Sequence, residues 1–214
     1  MSSTLDRYVA DRLTERDGIP RARRQALIRL ADVIAQALAE RGVARLVFVC
    51  THNSRRSHFA QVWAVACARR FAVHGIEAFS AGTESTAVHP RVLDTLEEAG
   101  FRVDRGCAGA NPRHDVWIDE SIGAVRLWSK TLADPAIPGE GFIAVMTCSD
   151  ADAACPHVRG AAARVSLAYE DPKRFDGTAG EAAGYAQRCR QIGREMALVF
   201  SRLASRRGLE PRSS

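Results

Sequence analysis

Apolar and polar positions follow a helical period over the first forty residues of this chain. Residues 4–16 and 21–41 carry apolar side chains at the spacing of one helix face, and Gly18-Ile19-Pro20 separates the two segments. The pattern therefore predicts two helices ahead of the first strand. We expect them to pack against the rest of the chain or against a second subunit, which would make the protein a homodimer through these helices.

Short apolar runs alternate with helical patterns through most of the remaining sequence. Such alternation is typical of a parallel sheet, because each crossover between parallel strands needs a helix. The prediction is an α/β fold with a doubly wound, four-stranded parallel sheet flanked by helices. The predicted strands are 45–49, 76–80, 142–147 and 164–168, and the predicted helices are 57–73, 90–99 and 178–205.

Residues 103–141 do not follow this alternation. Residues 116–119 and 124–128 each alternate apolar and polar positions and flank a short turn, which predicts a β-hairpin inserted before the third strand. The predicted organisation is a helical extension over 1–43, a domain over 44–205 that contains the 103–141 insertion, and a flexible tail over 206–214.

Composition narrows the class of protein. The chain has 214 residues, of which 46% are hydrophobic, and a formal charge of +5. It contains no long apolar run and no apolar segment near its first residue, so we expect neither a membrane span nor a secretory signal. Arginines carry the charge and are scattered among acidic residues, which favours solvated helix faces over a nucleic-acid surface. Six unevenly spaced cysteines do not resemble a disulfide framework, and a cytoplasmic protein is expected.

The most informative motif joins Cys50, Arg56 and Ser57 in the pattern C-x5-R-S, directly after an apolar strand and before a helix. Backbone N–H groups of such a loop converge on a tetrahedral oxyanion at the helix start. A planar guanidinium binds two of its oxygens, and a cysteine held there is favoured as a nucleophilic thiolate. The predicted oxyanion-binding residues are Thr51, His52, Asn53, Ser54, Arg55, Arg56 and Ser57.

A second cysteine pair follows another apolar strand. Cys148 ends the run at 142–147, and Cys155 comes seven residues later. If the two cysteine-bearing strands are parallel neighbours, Cys148 lies at the same sheet edge as Cys50. On an intact helix, seven residues rise about 10.5 Å, whereas a disulfide requires Cα atoms within roughly 7 Å. A bond between Cys148 and Cys155 therefore requires this segment to unwind, which suits a moving redox relay.

With these motifs the chain resembles the thioredoxin-coupled arsenate reductases, which share the low-molecular-weight protein tyrosine phosphatase fold. The matching stretches are VCTHNSRRS (49–57), FSAGTES (79–85), VMTCSDADAACP (145–156) and YEDPKRFDGT (169–178). The family loop usually has glycine and cysteine where His52 and Arg55 stand here.

The resemblance implies an enzyme of arsenical resistance in which Cys50 attacks arsenate and Cys148 and Cys155 relay a disulfide to thioredoxin. It also implies that Asp171 acts as a general acid. An aspartate that only stabilises the turn before Pro172 would fit the sequence equally well. No cofactor and no metal are implied.

Two other functions remain open on the sequence. A phosphatase would use Cys50, Arg56 and Asp171 to hydrolyse phosphate monoesters through a phosphocysteine, and a redox or arsenite sensor would use the thiols alone. A zinc site at Cys50, Cys148, Cys155 and His157 lacks the usual C-x2-C spacing. The Arg55 side chain either widens the positive field around the anion or points to solvent, and the sequence slightly favours solvent. Cys67 and Cys189 are expected to pack in the interior.

Overall fold

The structure, a computed structural model, describes residues 4–206, and the predicted tail lies almost wholly outside them. Within the described range the chain forms six α-helices and seven strands. The helices are α1 (Thr4–Thr14), α2 (Arg21–Arg41), α3 (Arg56–Arg70), α4 (Pro90–Glu98), α5 (Ser149–Ala154) and α6 (Glu181–Arg206). The strands are β1 (Ala44–Cys50), β2 (Ile76–Gly82), β3 (Arg102–Asp104), β4 (His114–Asp119), β5 (Gly123–Leu127), β6 (Phe142–Met146) and β7 (Ala161–Ser166).

The central sheet has the order β2-β1-β6-β7, and all its strand pairs are parallel. This confirms the predicted four-stranded parallel sheet. Alternate residues of β1 face opposite layers: Leu46 and Phe48 join the core under the larger helices, whereas Val47 and Val49 join a smaller core that includes Ala151 of α5. The strand is apolar on both faces because both are covered.

The two N-terminal helices belong to the larger core. One side of α2 is fully buried, and α1 and α2 both pack against α6. Their apolar faces are therefore covered within a single chain, without a second subunit. No helix within residues 4–206 combines the length and the apolar character needed to cross a membrane.

The insertion differs from the predicted hairpin. Strands β4 and β5 form the hairpin, but β3 pairs antiparallel with β4 and makes a separate three-stranded sheet. Gly123 supplies a φ of +80° at the turn, and Asp119 Oδ1 accepts bonds from the amides of Ser121 and Ile122. Three residues of β3 are too few for a recognisable alternation, so the sequence pattern missed this strand.

The starts of two elements also lie three residues from their predicted positions. Strand β7 begins at Ala161 rather than Arg164, because pairing with β6 holds an alanine run of low strand propensity in the sheet. Helix α6 begins at Glu181 rather than Thr178. Thr178 and Glu181 instead form a turn before the helix, in which the Glu181 carboxylate accepts the Gly177 amide at 3.1 Å.

Candidate active site

The loop from Cys50 to Arg55 joins the carboxyl end of β1 to the start of α3. Its carbonyl oxygens are turned outward, where neighbouring segments donate to them. Because the N–H of a trans peptide points opposite to its C=O, the amides of residues 52–55 face the inside of the loop. The outward bonds run from Glu84 N to Thr51 O (2.9 Å), Ser129 Oγ to His52 O (2.9 Å), His58 Nε2 to Asn53 O (2.8 Å) and His89 N to Ser54 O (3.1 Å).

The end of β2 approaches this loop at Gly82. A Cβ atom at residue 82 would lie 2.6 Å from Thr51 O and 2.8 Å from Asn53 N, distances that no side chain tolerates. Only glycine therefore fits at this position of the FSAGTES stretch, since backbone meets backbone there.

Asn53 takes the one strained backbone position of the loop. Its φ is +44°, in the left-handed region that asparagine tolerates better than most residues. The left-handed residue is therefore Asn53 and not His52, which explains how histidine is accommodated where the family pattern has glycine. The Asn53 side chain is fully buried and accepts the Lys130 amide at 2.8 Å.

The Cys50 thiol lies at the base of the loop and is almost fully buried. Its Sγ lies 3.2 Å from Ser57 Oγ, and Asn53 Nδ2 donates to the same Oγ at 2.8 Å. Because Ser57 already accepts from Asn53, its hydroxyl proton is free to point at the sulfur. The arrangement supplies a donor that stabilises a Cys50 thiolate.

Behind the loop lies a buried polar chain that sequence reasoning missed. The carbonyl of Asn53 can only accept, so His58 donates to it from Nε2 and accepts the Ser80 hydroxyl at Nδ1, 3.1 Å away. Lys130 Nζ donates to Ser80 Oγ at 3.4 Å and lies 3.9 Å from the centre of the Trp128 ring. Burial lowers the pKa of Lys130 to about 8. The sequence feature that could have drawn attention to Lys130 is that the protein contains only two lysines.

His58, the histidine of this buried polar chain, should make the stability of the protein depend on pH. Burial, with Lys130 nearby, lowers the pKa of His58 from 6.5 to about 3. Between these values the unfolded chain binds a proton that the folded protein does not, so the free energy of unfolding falls as pH drops from about 6.5 to about 3. We expect His58 to contribute a few kcal/mol to this loss.

Urea unfolding of His58→Gln at several pH values measures that contribution. The variant should lose less stability than wild type over the same interval, even if it is less stable at pH 7. His157→Gln, at an exposed histidine, is the matched control and should follow the wild-type curve. Parallel curves for His58→Gln and wild type would contradict the assignment.

Arg56 opens α3 and turns toward the segment that follows β7. Its Nη1 donates to Tyr169 O at 2.8 Å and its Nη2 to Asp171 Oδ2 at 2.6 Å. Its Nε is buried without a partner among the described residues. The structure therefore brings Arg56 and Asp171 together beside the loop and leaves the Nε donor of Arg56 available.

Arg55 does not point to solvent, contrary to the sequence-based expectation. Its Nε donates to Tyr185 Oη at 2.6 Å and its Nη2 to Asp176 Oδ2 at 2.7 Å, and its side chain is only 12% exposed. Both partners lie more than 100 positions away in the sequence, so no local pattern could predict these contacts.

Cys148 lies next to the loop because β6 is the parallel neighbour of β1. Thr147 N donates to Val49 O at 2.7 Å, and the Cys148 sulfur lies 3.4 Å from Thr51 Oγ1. The same sulfur accepts the Ala151 amide at 3.3 Å. A second buried thiol therefore stands at the edge of the candidate anion loop.

Cys155 lies at the far end of α5 from Cys148. Both cysteines are unbonded; Cys148 is buried and Cys155 is half-buried. Arg164 stabilises the end of the helix, because it donates to Asp152 O at 2.6 Å and to Cys155 O at 3.1 Å. An intact α5 keeps the two cysteines apart.

The remaining cysteines and the candidate metal ligands lie elsewhere. Cys67 and Cys189 are buried, and burial raises the pKa of both thiols, to about 12 for Cys189. Within residues 4–206, the group of metal-ligating atoms close enough to hold one ion is His89, Asp176 and Glu181, and none of these is a cysteine. Arginines already pair with two of its members, since Arg55 binds Asp176 and Arg91 binds Glu181.

Comparison with known proteins agrees with this geometry. The family described as low molecular weight phosphotyrosine protein phosphatase matches residues 45–116, which include the Cys50–Ser57 loop. An arsenate reductase of Bacillus subtilis (strain 168) is 26% identical over 152 residues, covering 71% of this chain and 91% of that protein. An arsenate reductase of Staphylococcus aureus (strain Newman) is 27% identical over 127 residues, covering 59% of this chain and 77% of that protein.

Solved structures give more distant similarities. An arsenate reductase in the phosphate-binding state has a TM-score of 0.47 at 16% identity, covering 75% of this chain and 99% of that one. A low-molecular-weight phosphotyrosine phosphatase from Vibrio cholerae O395 has a TM-score of 0.49 at 16% identity, covering 77% and 99%.

The loop and the family match together define the class of this protein. It is an enzyme in which the Cys50–Arg55 loop follows a strand of a parallel α/β sheet. Residues 45–116 of the chain match the low molecular weight phosphotyrosine protein phosphatase family, and arsenate reductases are among the proteins that the chain resembles.

Proposed function

We propose that this protein reduces arsenate to arsenite with a relay of three cysteines that thioredoxin recharges. The observation that carries the proposal is the position of Cys148, whose sulfur lies 3.4 Å from the Thr51 hydroxyl, one residue after Cys50. Hydrolysis of a phosphate ester needs one thiol, whereas reduction of an oxyanion by two electrons needs a second thiol close to the first.

In the first step the Cys50 thiolate attacks the arsenic atom. The inward amides of residues 52–55 and the guanidinium of Arg56 hold the oxyanion, and the Ser57 hydroxyl stabilises the thiolate before attack. An oxygen of arsenate leaves as water once it is protonated. Asp171 is the candidate donor, because its carboxylate lies 2.6 Å from the Arg56 guanidinium that would hold the oxyanion.

In the second step the Cys148 thiolate attacks the sulfur of Cys50. The Cys50–arsenic bond breaks, its electron pair remains on arsenic as arsenite, and a Cys50–Cys148 disulfide forms. In the third step Cys155 attacks Cys148, which restores the Cys50 thiolate and leaves a Cys148–Cys155 disulfide. A dithiol of the thioredoxin class then reduces this bond, and Cys155, the half-buried member of the pair, is the better target. The cytoplasm is the compartment that supplies such a reductant.

The third step should unwind α5. The cysteines flank this helix, and a disulfide between them cannot form across its full length. The Asp152 amide bond to Cys148 O and the Cys155 amide bond to Ala151 O, both 3.0 Å, should then break. We expect these two amides to exchange hydrogen at least about tenfold faster in the oxidised protein, while β6 stays protected.

Hydrogen exchange on reduced and oxidised protein measures this change. Oxidised Cys155→Ser, which cannot form the Cys148–Cys155 bond, is the control and should keep the helix protected. Equal protection of α5 in the reduced and oxidised wild-type forms would show that the disulfide forms without unwinding and would contradict this step.

A phosphatase is the second candidate, and the Arg56–Asp171 pair is the observation that favours it. A general acid next to the oxyanion site serves ester hydrolysis as well as arsenate chemistry. Lys173 and Arg174 follow Pro172 here and provide no aromatic surface for a phosphotyrosine ring.

Two assays run side by side distinguish the candidates. Arsenite release from arsenate is measured with thioredoxin, thioredoxin reductase and NADPH, and hydrolysis of an aryl phosphate is measured on the same preparation. The proposal predicts many turnovers of arsenate that depend on thioredoxin. Ester hydrolysis without any arsenite would instead establish the phosphatase.

A further inference from the structure

The segment that carries Asp171 is held at both of its ends. It is a single 3-10 turn, Pro172–Phe175, with Asp171 before it and Asp176 after it. Two consecutive arginines, at the end of the loop and the start of α3, bind these two carboxylates: Arg56 binds Asp171 at 2.6 Å, and Arg55 binds Asp176 at 2.7 Å. The loop and the segment are therefore joined at two points.

The contact through Arg55 is part of a closed ring of hydrogen bonds. Arg55 donates to Tyr185 Oη and to Asp176 Oδ2, and the Tyr185 hydroxyl donates to Asp176 Oδ1 at 2.8 Å. Burial raises the pKa of Tyr185, so its hydroxyl keeps the proton that it donates. Tyr185 itself is fully buried in α6 and stacks on His89, with ring centres 5.2 Å apart. The ring thus ties Asp176 to a rigid part of the core.

The same turn also packs closely on α6. A Cβ atom at Gly184 would lie only 2.2 Å from Cδ2 of Phe175, so the helix surface is recessed where the aromatic ring rests. Phe175 sets the distance between the turn and the helix, whereas the two arginines set the position of the turn along the loop.

We propose that Arg55 is a positioning residue that sets the location of Asp171 by holding Asp176. Cysteine, the usual residue at this place in the family pattern, has no fork of donors that could bind tyrosine and carboxylate together. The proposal rests on the proton-donor role given to Asp171 under the proposed function. With Arg55 removed, Asp171 keeps its contacts with Arg56 and with the Lys173 amide, and a bound oxyanion competes for Arg56.

Hydrogen exchange in Arg55→Leu tests the structural half of this proposal without any substrate. The Asp176 amide donates to Lys173 O at 2.9 Å and the Thr178 amide to Phe175 O at 3.0 Å, and both should exchange at least about tenfold faster in the variant. Arg105→Leu is the matched control, because Arg105 also pairs with two carboxylates, Asp94 and Glu97, but far from the site in sequence. Unchanged exchange at Asp176 and Thr178 would overturn the proposal.

Turnover of two aryl phosphates tests the catalytic half. Nitrophenolate leaves without a proton, whereas phenolate needs one, so a displaced acid slows phenyl phosphate more than p-nitrophenyl phosphate. In Arg55→Leu we expect kcat/KM for phenyl phosphate to fall about tenfold further than kcat/KM for the nitrophenyl ester. Arg55→Lys, which can still reach Asp176, should recover part of the difference, and Tyr185→Phe should show a smaller one. An equal loss on both esters would show a general structural role and overturn the proposal.

Failure of the wild-type protein to reduce arsenate would refute the proposed function and leave the exchange result to decide the role of Arg55.

Discussion

Cys50→Ser should abolish both arsenate reduction and any hydrolysis of phosphate esters. A serine hydroxyl is not ionised at neutral pH, and the neighbours of this position, Ser57 and Asn53, supply donors rather than a base that could take its proton. We expect a loss of at least about 10⁴-fold in kcat, measured as arsenite release and as aryl phosphate hydrolysis, since the covalent step itself disappears.

Cys107→Ser is the control for this variant. Cys107 is exposed in a loop of the insertion, and its replacement should leave both activities unchanged. Arg56→Lys should also lose most activity, because an ammonium group cannot bind two oxygens in a plane. Near wild-type turnover by Cys50→Ser would refute Cys50 as the nucleophile.

Cys155→Ser should release about one arsenite per protein molecule and then stop. Cys50 and Cys148 can still complete the first two steps, but the resulting disulfide lies at two buried cysteines and has no third thiol to carry it outward. Arsenite measured against time should therefore show a burst without a steady state, whereas wild type should continue with thioredoxin, thioredoxin reductase and NADPH.

Hydrolysis of an aryl phosphate provides the internal control for the relay variants. This reaction needs neither Cys148 nor Cys155, so Cys148→Ser and Cys155→Ser should keep the wild-type rate of hydrolysis. Continued multiple turnover of arsenate by Cys155→Ser would contradict the relay and indicate that a reductant reaches the first disulfide directly.

Local patterns were sufficient to predict the frame of this site. The apolar runs that end in Cys50 and Cys148 predicted two strands, and the structure makes them parallel neighbours with Val49 opposite Met146. That pairing follows from the rule that alternating strands and helices form parallel sheets. It places both cysteines at one sheet edge, so the proximity of Cys148 to the loop was predictable from the sequence.

The supports of the loop were not predictable in this way. His58, Ser80 and Lys130 contact the loop or one another across as many as 77 positions, and Arg55 contacts Tyr185 and Asp176 across more than 100. Each of these residues occurs in a segment whose local pattern specifies only a helix, a strand or a turn. Their roles depend on how distant elements pack, which hydrophobic periodicity does not encode.

The predicted element boundaries were wrong where contacts with another element override local preference. The alanines that begin β7 have little strand propensity and are ordered by their neighbour β6. The capping pattern at Thr178 predicted a helix start, yet Phe175 packs against Gly184 and the chain makes a turn before α6 begins. In both places a tertiary contact decides the structure.

The most direct measurement of the central claim is the disulfide formed in a single turnover. Fully reduced Cys155→Ser is mixed with one equivalent of arsenate, the thiols are blocked, and the protein is digested and examined by mass spectrometry. We expect a peptide pair that joins Cys50 to Cys148, in an amount equal to the arsenite released. Arsenite released without this bond, or a bond from Cys50 to any other cysteine, would contradict the proposed relay.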